Sequence, residues 1–155
     1  MTDVDLQHLR TAIAVARRAR ERGNRPFGAL LVAADGRVLA EAENTQLTSG
    51  DCTGHAELNL IRERCASHTR DELAGATLYA SGEPCAMCAG AVFWSGIGRL
   101  VFGLGSGDIY PMAGDPAEQL RLSCRDVLAS GRRAVVVQGP ALEDEARRLF
   151  EGFFG

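Results

Sequence analysis

Apolar residues recur at helical spacing near the start of the chain, and the repeat stops at Gly23. The recurring residues are Leu6, Leu9, Ile13 and Ala16. A stripe of this kind covers one face of an α-helix, and glycine commonly follows the end of a helix. The pattern therefore predicts a first amphipathic helix from about Asp3 to Glu21.

Two apolar runs follow, and Asp35-Gly36 separates them. The runs are GALLVA over 28–33 and RVLAEAEN over 37–44. Asp-Gly between two apolar runs predicts an antiparallel β-hairpin with a tight turn. A polar loop over 45–53 then leads to a second predicted helix over 55–65.

The second half of the chain alternates short apolar runs with helical patterns. It predicts a strand over 76–81, a small-residue helix from Ala86 to Ser95, a strand over 99–104, a Gly-rich irregular stretch over 103–114, a helix begun by Pro116 that runs to 130, a strand over 133–138, and a last helix opened by Pro140. The apolar side chains of the last helix are expected to pack on the core.

The predicted order of elements is α-β-β-α-β-α-β-α-β-α. A hairpin followed by alternating strands and helices is typical of an α/β fold, here a three-layer α/β/α sandwich with a mixed five-stranded sheet. A helix lies between the fourth and fifth strands, so these two strands are expected to run parallel. With 155 residues and no repeat or linker, the chain is expected to form one domain over residues 1–155.

Composition adds three limits to this picture. All 17 basic residues are Arg, so the protein has no lysine for Schiff-base chemistry, for anchoring pyridoxal phosphate or for a P-loop. No stretch resembles a signal peptide or a membrane span, so a cytoplasmic location is expected. The net charge of −3 weighs against a protein whose main partner is the phosphate backbone of nucleic acid.

Two short stretches carry chemistry, and each stands at the start of a predicted helix. The first is His55-Ala-Glu57 and the second is Pro84-Cys85-Ala-Met-Cys88. Zinc binds imidazole nitrogen and thiolate sulfur, and three protein ligands with a fourth water position is the arrangement of catalytic zinc sites. Cys85 and Cys88 are three residues apart in a helical turn, so they can bind one ion together.

Glu57 is expected to have a different task from the ligands. Residues two apart in a first helical turn diverge by about 200°, so His55 and Glu57 are poor co-ligands of one ion. One imidazole and two thiolates balance the charge of the ion, and water on such an ion loses its proton near neutral pH. Glu57 can take that proton and hand it to a leaving nitrogen.

Two other interpretations of the cysteines stay open at this point. A closed structural zinc site needs a fourth ligand, and Cys52 is the nearby candidate. A redox pair of the thioredoxin type would use Cys85 and Cys88 without a metal. The first interpretation leaves Glu57 without a role, and the second leaves His55 unexplained as well.

The pattern H-x-E followed by P-C-x-x-C is the signature of the cytidine and nucleobase deaminase superfamily. The chain resembles this superfamily from about Pro26 to Phe102, including the order of strands and helices. The resemblance implies a cytidine deaminase-like fold, a homodimer, and zinc-assisted hydrolytic deamination of an amino-substituted ring. It also implies that His55, Cys85 and Cys88 hold the zinc ion (Zn2+) and that Glu57 is the proton shuttle.

The substrate is less clearly indicated, because the chain mixes the motifs of two deaminase groups. Similar to bacterial guanine deaminases are the stretch Pro26-Phe-Gly-Ala29, Asn44, the run over 48–57 and the run over 91–94. The run over 97–103 and a C-terminal helix ending in Phe153-Phe154 are more similar to bacterial tRNA adenosine deaminases. We expect a guanine deaminase-like enzyme for a small heterocycle, with a tRNA-specific adenosine deaminase as the alternative.

Five residues are candidates for substrate binding. Phe27 can stack on a purine and Asn44 can bond a ring edge, although core packing and turn formation are the plain structural roles of these residue types. The backbone near Ala56 can hold a ring carbonyl or nitrogen. Guanine deaminases also carry an acidic pair after the fourth strand, and the same region here offers Asp108 and Asp115, which do not match that pair.

The tRNA hypothesis draws on a cluster of basic residues near the end of the first helix. The cluster comprises Arg17, Arg18, Arg20, Arg22 and Arg25. Such a cluster is commonly a solvated helix face paired with Glu, and a tRNA binder is expected to carry more positive charge. A third hypothesis, a non-catalytic zinc-stabilised interaction domain, predicts four protein ligands on the metal.

Overall fold

The predicted amphipathic first helix, α1 (Asp3–Glu21), is present in the computed structural model, which describes residues 1–154. It begins with a capping box: the Thr2 hydroxyl accepts a hydrogen bond from the Asp5 N–H, and the Asp5 carboxylate accepts one from the Thr2 N–H. Its apolar face is buried, with Leu9 and Ala16 fully inaccessible to solvent. The predicted bounds of this helix are confirmed.

The other elements alternate along the chain largely in the predicted order. The strands are β1 (Gly28–Val32), β2 (Val38–Glu43), β3 (Thr77–Gly82), β4 (Arg99–Leu104) and β5 (Val136–Gln138). The remaining helices are α2 (Gln46–Ser49), α3 (Ala56–Arg64), α4 (Arg70–Ala74), α5 (Ala86–Ser95), α6 (Ser106–Met112), α7 (Cys124–Ala129) and α8 (Glu143–Arg147), with 3-10 turns at Pro116–Glu118 and Arg148–Phe150. Among the described residues, no helix has both the length and the apolar character needed to cross a membrane.

One mixed sheet contains these strands in the order β2-β1-β3-β4-β5. Strand β1 runs antiparallel to β2 and β3, whereas β3, β4 and β5 run parallel to one another. Alternate side chains point to opposite faces, so Leu30 joins the apolar cluster under α1 and Leu31 joins the cluster under α3 and α5. The predicted α/β fold and the parallel pairing of the fourth and fifth strands are confirmed.

A buried ionic network ties α1 to the sheet. Asp5 is 4% exposed. Its carboxylate accepts a hydrogen bond from the Tyr79 hydroxyl at 2.7 Å. It also accepts two from the Arg99 guanidinium, at 2.7 and 2.9 Å. The hydrogen bond from Arg99 holds the pKa of Asp5 well below its ordinary value, against the opposing effect of burial. One carboxylate therefore joins α1, β3 and β4.

The stretch predicted as irregular, 103–114, contains helix α6. Its glycines lower helix propensity, so the sequence is typical of a loop. Ile109 is nevertheless 4% exposed and belongs to the same apolar cluster as Leu104 and Leu149. Burial of this one side chain favours the helix against its local propensity.

The helix predicted from Pro116 to residue 130 is divided. Pro116 begins only a 3-10 turn, and the regular helix α7 begins after Ser123, whose hydroxyl accepts a hydrogen bond from the Asp126 N–H. The last regular helix likewise begins at Glu143 rather than at Pro140. Strand β5 is three residues long, shorter than predicted, and as an edge strand it is paired on one side only.

Two short helices, α2 and α4, lie where the sequence predicts polar connections. They contain four and five residues, too few to show hydrophobic periodicity. The signal for α4 is instead a capping box, in which Thr69 and Glu72 each accept a hydrogen bond from the other's backbone N–H.

Replacing Asp5 with Asn tests the ionic network. We expect the free energy of unfolding at pH 7 to fall by about 2 kcal/mol, because Arg99 and Tyr79 lose the charge of their shared acceptor. The folded-state pKa of Asp5 lies below its unfolded value, so its contribution is present above about pH 4 and is lost as the pH falls further. The difference in the free energy of unfolding between wild type and variant, measured by urea unfolding, is therefore expected to be smaller at pH 3 than at pH 7.

The matched control is Asp3→Asn, which removes an exposed carboxylate from the same first turn of α1. An equal loss of stability in both variants would attribute the effect to charge at the helix terminus and not to the network.

Candidate metal-dependent active site

Three side chains from two helix starts converge on one point. His55 is the N-cap residue of α3, Cys85 is the N-cap residue of α5, and Cys88 lies in the first turn of α5. The Nδ1 atom of His55 is 3.5 Å from each of the two Sγ atoms. The three donor atoms all lie within 4.8 Å of one another, so this group can hold a metal ion.

The chemistry of these donors fits zinc. Imidazole nitrogen and thiolate sulfur are its common ligands, and both cysteines are free of disulfide bonds. A hydrogen bond from Cys88 lowers the pKa of Cys85 to about 4, and the hydrogen bond with Cys85 raises the pKa of His55. These shifts favour a thiolate beside a protonated imidazole, so the pair carries a proton that a bound cation can replace.

Glu57 is close to this group but is not part of it. The residue is 4% exposed and occupies the first turn of α3, two positions after His55. Burial raises the pKa of its carboxyl group. The arrangement gives a buried carboxyl group that can exchange protons beside the metal ligands.

Cys52, the candidate fourth ligand of a closed site, is not in the ligand group. It is exposed and lines the cavity next to the site. In the part of the chain that the structure describes, the group of possible ligands has three members, His55, Cys85 and Cys88. Three protein ligands are typical of catalytic zinc, and four are typical of structural zinc.

A cavity of about 500 Å³ opens onto this site. His55, Glu57 and Cys85 lie in its wall, together with polar and apolar residues from several elements. A volume of this order is in the range of small-molecule sites. A small molecule that binds in this cavity would therefore lie beside both the ligand group and the buried carboxyl group.

Phe27 and Asn44, two of the predicted substrate residues, line this cavity. The Phe27 ring also packs edge-on against Phe150, with 5.4 Å between ring centroids, so it serves the core and the cavity together. Asn44 is 1% exposed, and its side chain exchanges two hydrogen bonds with Gln46, at 2.8 and 3.0 Å. Gln46 lines the cavity as well, so the two amides form one polar group in its wall.

The other three predicted substrate residues have different locations. Asp115 lines the cavity, next to the 3-10 turn that it caps. Ala56 is fully buried and is not among the residues of the cavity wall. Asp108 also lies outside the wall, and its carboxylate forms an ion pair with Arg147 at 3.0 Å.

Sequence reasoning missed Glu118, three residues after Asp115, which lines the cavity together with Glu57, Glu83 and Asp115. The signal that identifies the pair Asp115 and Glu118 is the 3-10 turn at Pro116–Glu118, which brings both carboxylates to the cavity. Tyr110 and Gln119 were also missed, because the stretch that carries them has no periodic pattern.

Most of the arginine cluster has structural partners. Arg18 pairs with Glu41 at 2.7 Å and also with Glu43, and Arg22 pairs with Glu43 at 2.9 Å. The guanidinium of Arg20 donates a hydrogen bond to the Leu149 carbonyl at 2.8 Å. These contacts agree with a solvated helix face and leave fewer free cations for a phosphate backbone.

Arg25 differs from the rest of that cluster. It lines the cavity, and its Nε atom is buried without a hydrogen-bond partner among the described residues. A buried guanidinium N–H without an acceptor is unfavourable. Arg25 is therefore a donor that a ligand in the cavity can satisfy.

Comparison with known proteins adds a family and several relatives. Residues 2–104 match the cytidine and deoxycytidylate deaminase zinc-binding region. A probable cytosine deaminase of Schizosaccharomyces pombe is 39% identical over 156 residues, which span 99% of this chain and 94% of that protein. A tRNA-specific adenosine deaminase of Bacillus subtilis is 37% identical over 157 residues, or 99% of this chain and 90% of that protein.

A solved structure from a study of A-to-I editing by tRNA:A34 deaminases is also similar. It superposes with a TM-score of 0.73 at 32% sequence identity, and covers 93% of this chain and 99% of its own. The similarity extends beyond the residues that carry the ligand group and includes the strands and helices around it.

Removing one thiol from the ligand group tests its affinity for metal. We expect Cys88→Ser to lower the zinc content after dialysis from about one ion per chain to less than about a tenth, because a hydroxyl is a much poorer zinc ligand than a thiolate. Mass spectrometry of the metals in the purified protein provides the measurement. Cys65→Ser is the control, since Cys65 is exposed and outside the group. Full zinc in Cys88→Ser would show that Cys88 is not a ligand.

Proposed function

The chain belongs to the cytidine and deoxycytidylate deaminase family, and from this premise we propose that it hydrolyses the exocyclic amine of a free nucleobase. Membership makes it a zinc-type deaminase that acts on a C–N bond of nucleobases or nucleosides. The finer proposal, a free base, rests mainly on the wall of the cavity.

The observation that carries this proposal is the pair of carboxylates on the 3-10 turn, Asp115 and Glu118. A free base presents an N–H at the position where a nucleoside carries its sugar. Carboxylates accept hydrogen bonds and cannot donate them when ionised. A wall that carries two of them favours a ligand with an N–H edge, and ribosylation removes that edge.

Arg25 complements the acidic pair. Its donors suit a carbonyl oxygen or a ring nitrogen, and its buried Nε–H has no hydrogen-bond partner within residues 1–154. Guanine and cytosine each have both an N–H edge and a carbonyl. We therefore place these two bases first, in keeping with the guanine deaminase-like motifs of the sequence and with the similarity to a probable cytosine deaminase.

In the proposed reaction, zinc held by His55, Cys85 and Cys88 would supply a Lewis acid that makes water acidic at neutral pH. Glu57 would receive one proton from the attacking water on its carboxyl oxygen and deliver it to the ring nitrogen, and it would then carry the remaining proton of that water to the departing amine, which leaves as ammonia. Phe27 would stack on the ring and hold its amino-bearing carbon toward the ligand group. The products are the corresponding carbonyl compound and ammonia.

Glu57 can be tested separately from the metal. We expect Glu57→Gln and Glu57→Ala to keep zinc and to lose about a thousandfold in kcat, because both variants lack a group that carries the proton. Ammonia release and metal content are measured on the same preparations. Glu63→Gln, on the exposed side of α3, is the control. An active Glu57→Ala variant would exclude the proposed role.

The substrate class is tested with paired compounds. We expect ammonia from guanine or cytosine, with kcat/KM at least ~100-fold lower for the matching nucleoside, because the sugar removes the hydrogen bond to the acidic pair and fills the same space. The double variant Asp115→Asn, Glu118→Gln is expected to narrow this gap. Equal turnover of base and nucleoside would contradict the proposal.

A second candidate function is deamination of adenosine in tRNA. The 37% identity to a tRNA-specific adenosine deaminase over nearly the whole chain favours it, and the net charge of −3 and the paired arginines weigh against it. A gel shift with tRNA at low salt separates the two functions, since backbone binding is strongest there. Binding together with inosine formation in tRNA would favour this candidate over the free base.

Three finer expectations stay predictions: one domain over residues 1–155, a cytoplasmic location and a homodimer. Trp94 supports the homodimer, because its residue is 75% exposed on α5, the helix that carries both cysteine ligands. Sedimentation equilibrium is expected to give twice the chain mass, and Trp94→Glu is expected to give monomers. A monomeric wild type would exclude the dimer.

A further inference from the structure

Glu83 lies two residues before Cys85, but it is neither a member of the candidate ligand group His55, Cys85 and Cys88 nor the buried proton carrier. Its carboxylate makes two hydrogen bonds to backbone N–H groups that are far apart in sequence. One oxygen accepts from the Ser106 N–H at 2.8 Å, and the other accepts from the Cys124 N–H at 3.0 Å. These two residues are the first residues of α6 and α7.

The segment between those two bonds, residues 106–123, forms a large part of the cavity wall. It contributes Ile109 and Tyr110 from α6, and Asp115, Glu118 and Gln119 from the turn that follows. It also closes on itself, because the Tyr110 hydroxyl donates to the Leu120 carbonyl at 2.6 Å and the Gln119 side chain donates to the Tyr110 carbonyl at 2.8 Å. We call residues 106–123 the wall segment.

We propose that Glu83 is a positioning residue that fastens both ends of the wall segment and so fixes the acidic pair over the substrate. The first N–H groups of a helix have no partner within the helix, and a carboxylate is a favourable acceptor for them. The carboxylate has two oxygens, so one side chain satisfies both helix starts. The kinetic part of this inference rests on the proposed function, whereas the structural part does not.

The anchor itself is rigid. The Glu83 N–H donates to the Leu104 carbonyl at 2.7 Å, which continues the parallel pairing of β3 with β4. Burial raises the pKa of the Glu83 carboxyl, but the two backbone N–H groups outweigh this effect and the net pKa is lowered. A charged acceptor is thereby held at the end of the central sheet.

The outer part of the wall segment is exposed, and the bonds of Tyr110 to Leu120 and Gln119 close it. Ile109 is buried against Leu104 and fixes α6. Residues 114–118 are exposed throughout, and they carry both acids of the pair. The two bonds to Glu83 fix the ends of the whole segment, at Ser106 and Cys124. Between these ends, Ile109 and the hydrogen bonds of Tyr110 hold the segment to the core and to itself.

The chain provides a direct reporter for release of the segment. Trypsin cleaves after Arg and Lys, and the chain has no Lys, so Arg121 is the one tryptic site in the wall segment. Glu83→Gln preserves side-chain volume but replaces one acceptor oxygen by an amide NH2, which faces an N–H donor. The variant can keep one of the two bonds and loses the other.

We expect zinc-loaded Glu83→Gln to be cleaved after Arg121 at least about tenfold faster than wild type, because cleavage follows the population of the opened segment. We expect KM for the free base to rise at least about fivefold, with kcat within about threefold and zinc content unchanged, because binding and not chemistry depends on the segment. The matched control is Glu72→Gln, which weakens the capping box of α4 outside the cavity wall.

A second variant removes a donor and leaves Glu83 intact. Ser106→Pro removes the backbone N–H that donates a hydrogen bond to the Glu83 carboxylate. Proline is well tolerated at the first residue of a helix. The preceding Gly105 has φ −72° and ψ 153°, a conformation that suits a residue before proline. We expect faster cleavage after Arg121 in this variant too, and little further increase when Glu83→Gln is added to it.

The results that overturn the inference are distinct from failure of the proposed function. Equal cleavage rates in Glu83→Gln, Ser106→Pro and Glu72→Gln would show that Glu83 does not hold the segment. Loss of zinc, or a fall in kcat with unchanged KM, would place Glu83 in the metal site or in the chemistry instead. If wild type releases no ammonia from any base, the proposed function is excluded, and the cleavage rates still decide whether Glu83 fastens the segment. If Glu83→Gln does not fold, Ser106→Pro decides the question alone.

Discussion

The site depends on one constraint: the N-termini of helices α3 and α5 lie next to each other. His55 and Cys85 are the N-cap residues of these helices, and Cys88 is one turn inside the second. Both helices pack on the same face of the sheet, in the apolar cluster that contains Leu31 and Leu78. Thirty residues separate His55 from Cys85 along the chain, so this packing, and not sequence proximity, brings imidazole and thiol within 3.5 Å.

Three carboxylates show how environment assigns different tasks to the same group. The hydrogen bond from Arg99 lowers the pKa of Asp5 and so favours its ionised form, which joins α1 to the sheet. Burial raises the pKa of Glu57, which suits it to carry a proton. Glu83 faces two helix starts, which lower its pKa and suit it to hold backbone in place. Partners and burial separate a structural acid from a chemical one.

Tertiary partners also determine the roles of the basic residues. A run of arginines near the end of α1 suggests nucleic acid when only the sequence is considered, but Arg18 and Arg22 bind Glu41 and Glu43 of β2. Those glutamates lie about twenty residues further along the chain and become neighbours only when α1 packs on the sheet. Among residues 1–154, Arg25 has no carboxylate partner of this kind and instead lines the cavity. Charge in the sequence therefore did not reveal which cation is available to a ligand.

The sequence by itself determined the elements that have a strong period or a chemical motif. Helix α1, the β1–β2 hairpin, helix α5 and the parallel order of the last strands were predictable, because binary patterning and turn residues act locally. The three side chains that can hold a metal ion were predictable because zinc chemistry restricts residue type and spacing. Phe27, Asn44 and Asp115 were also named from the sequence, but only the tertiary structure showed which other residues complete the wall of the cavity. Burial of Ile109 favours helix α6 in a glycine-rich stretch, and the 3-10 turn that begins at Pro116 brings Glu118 near Asp115. Such residues depend on contacts distant in sequence, and no periodic pattern records those contacts.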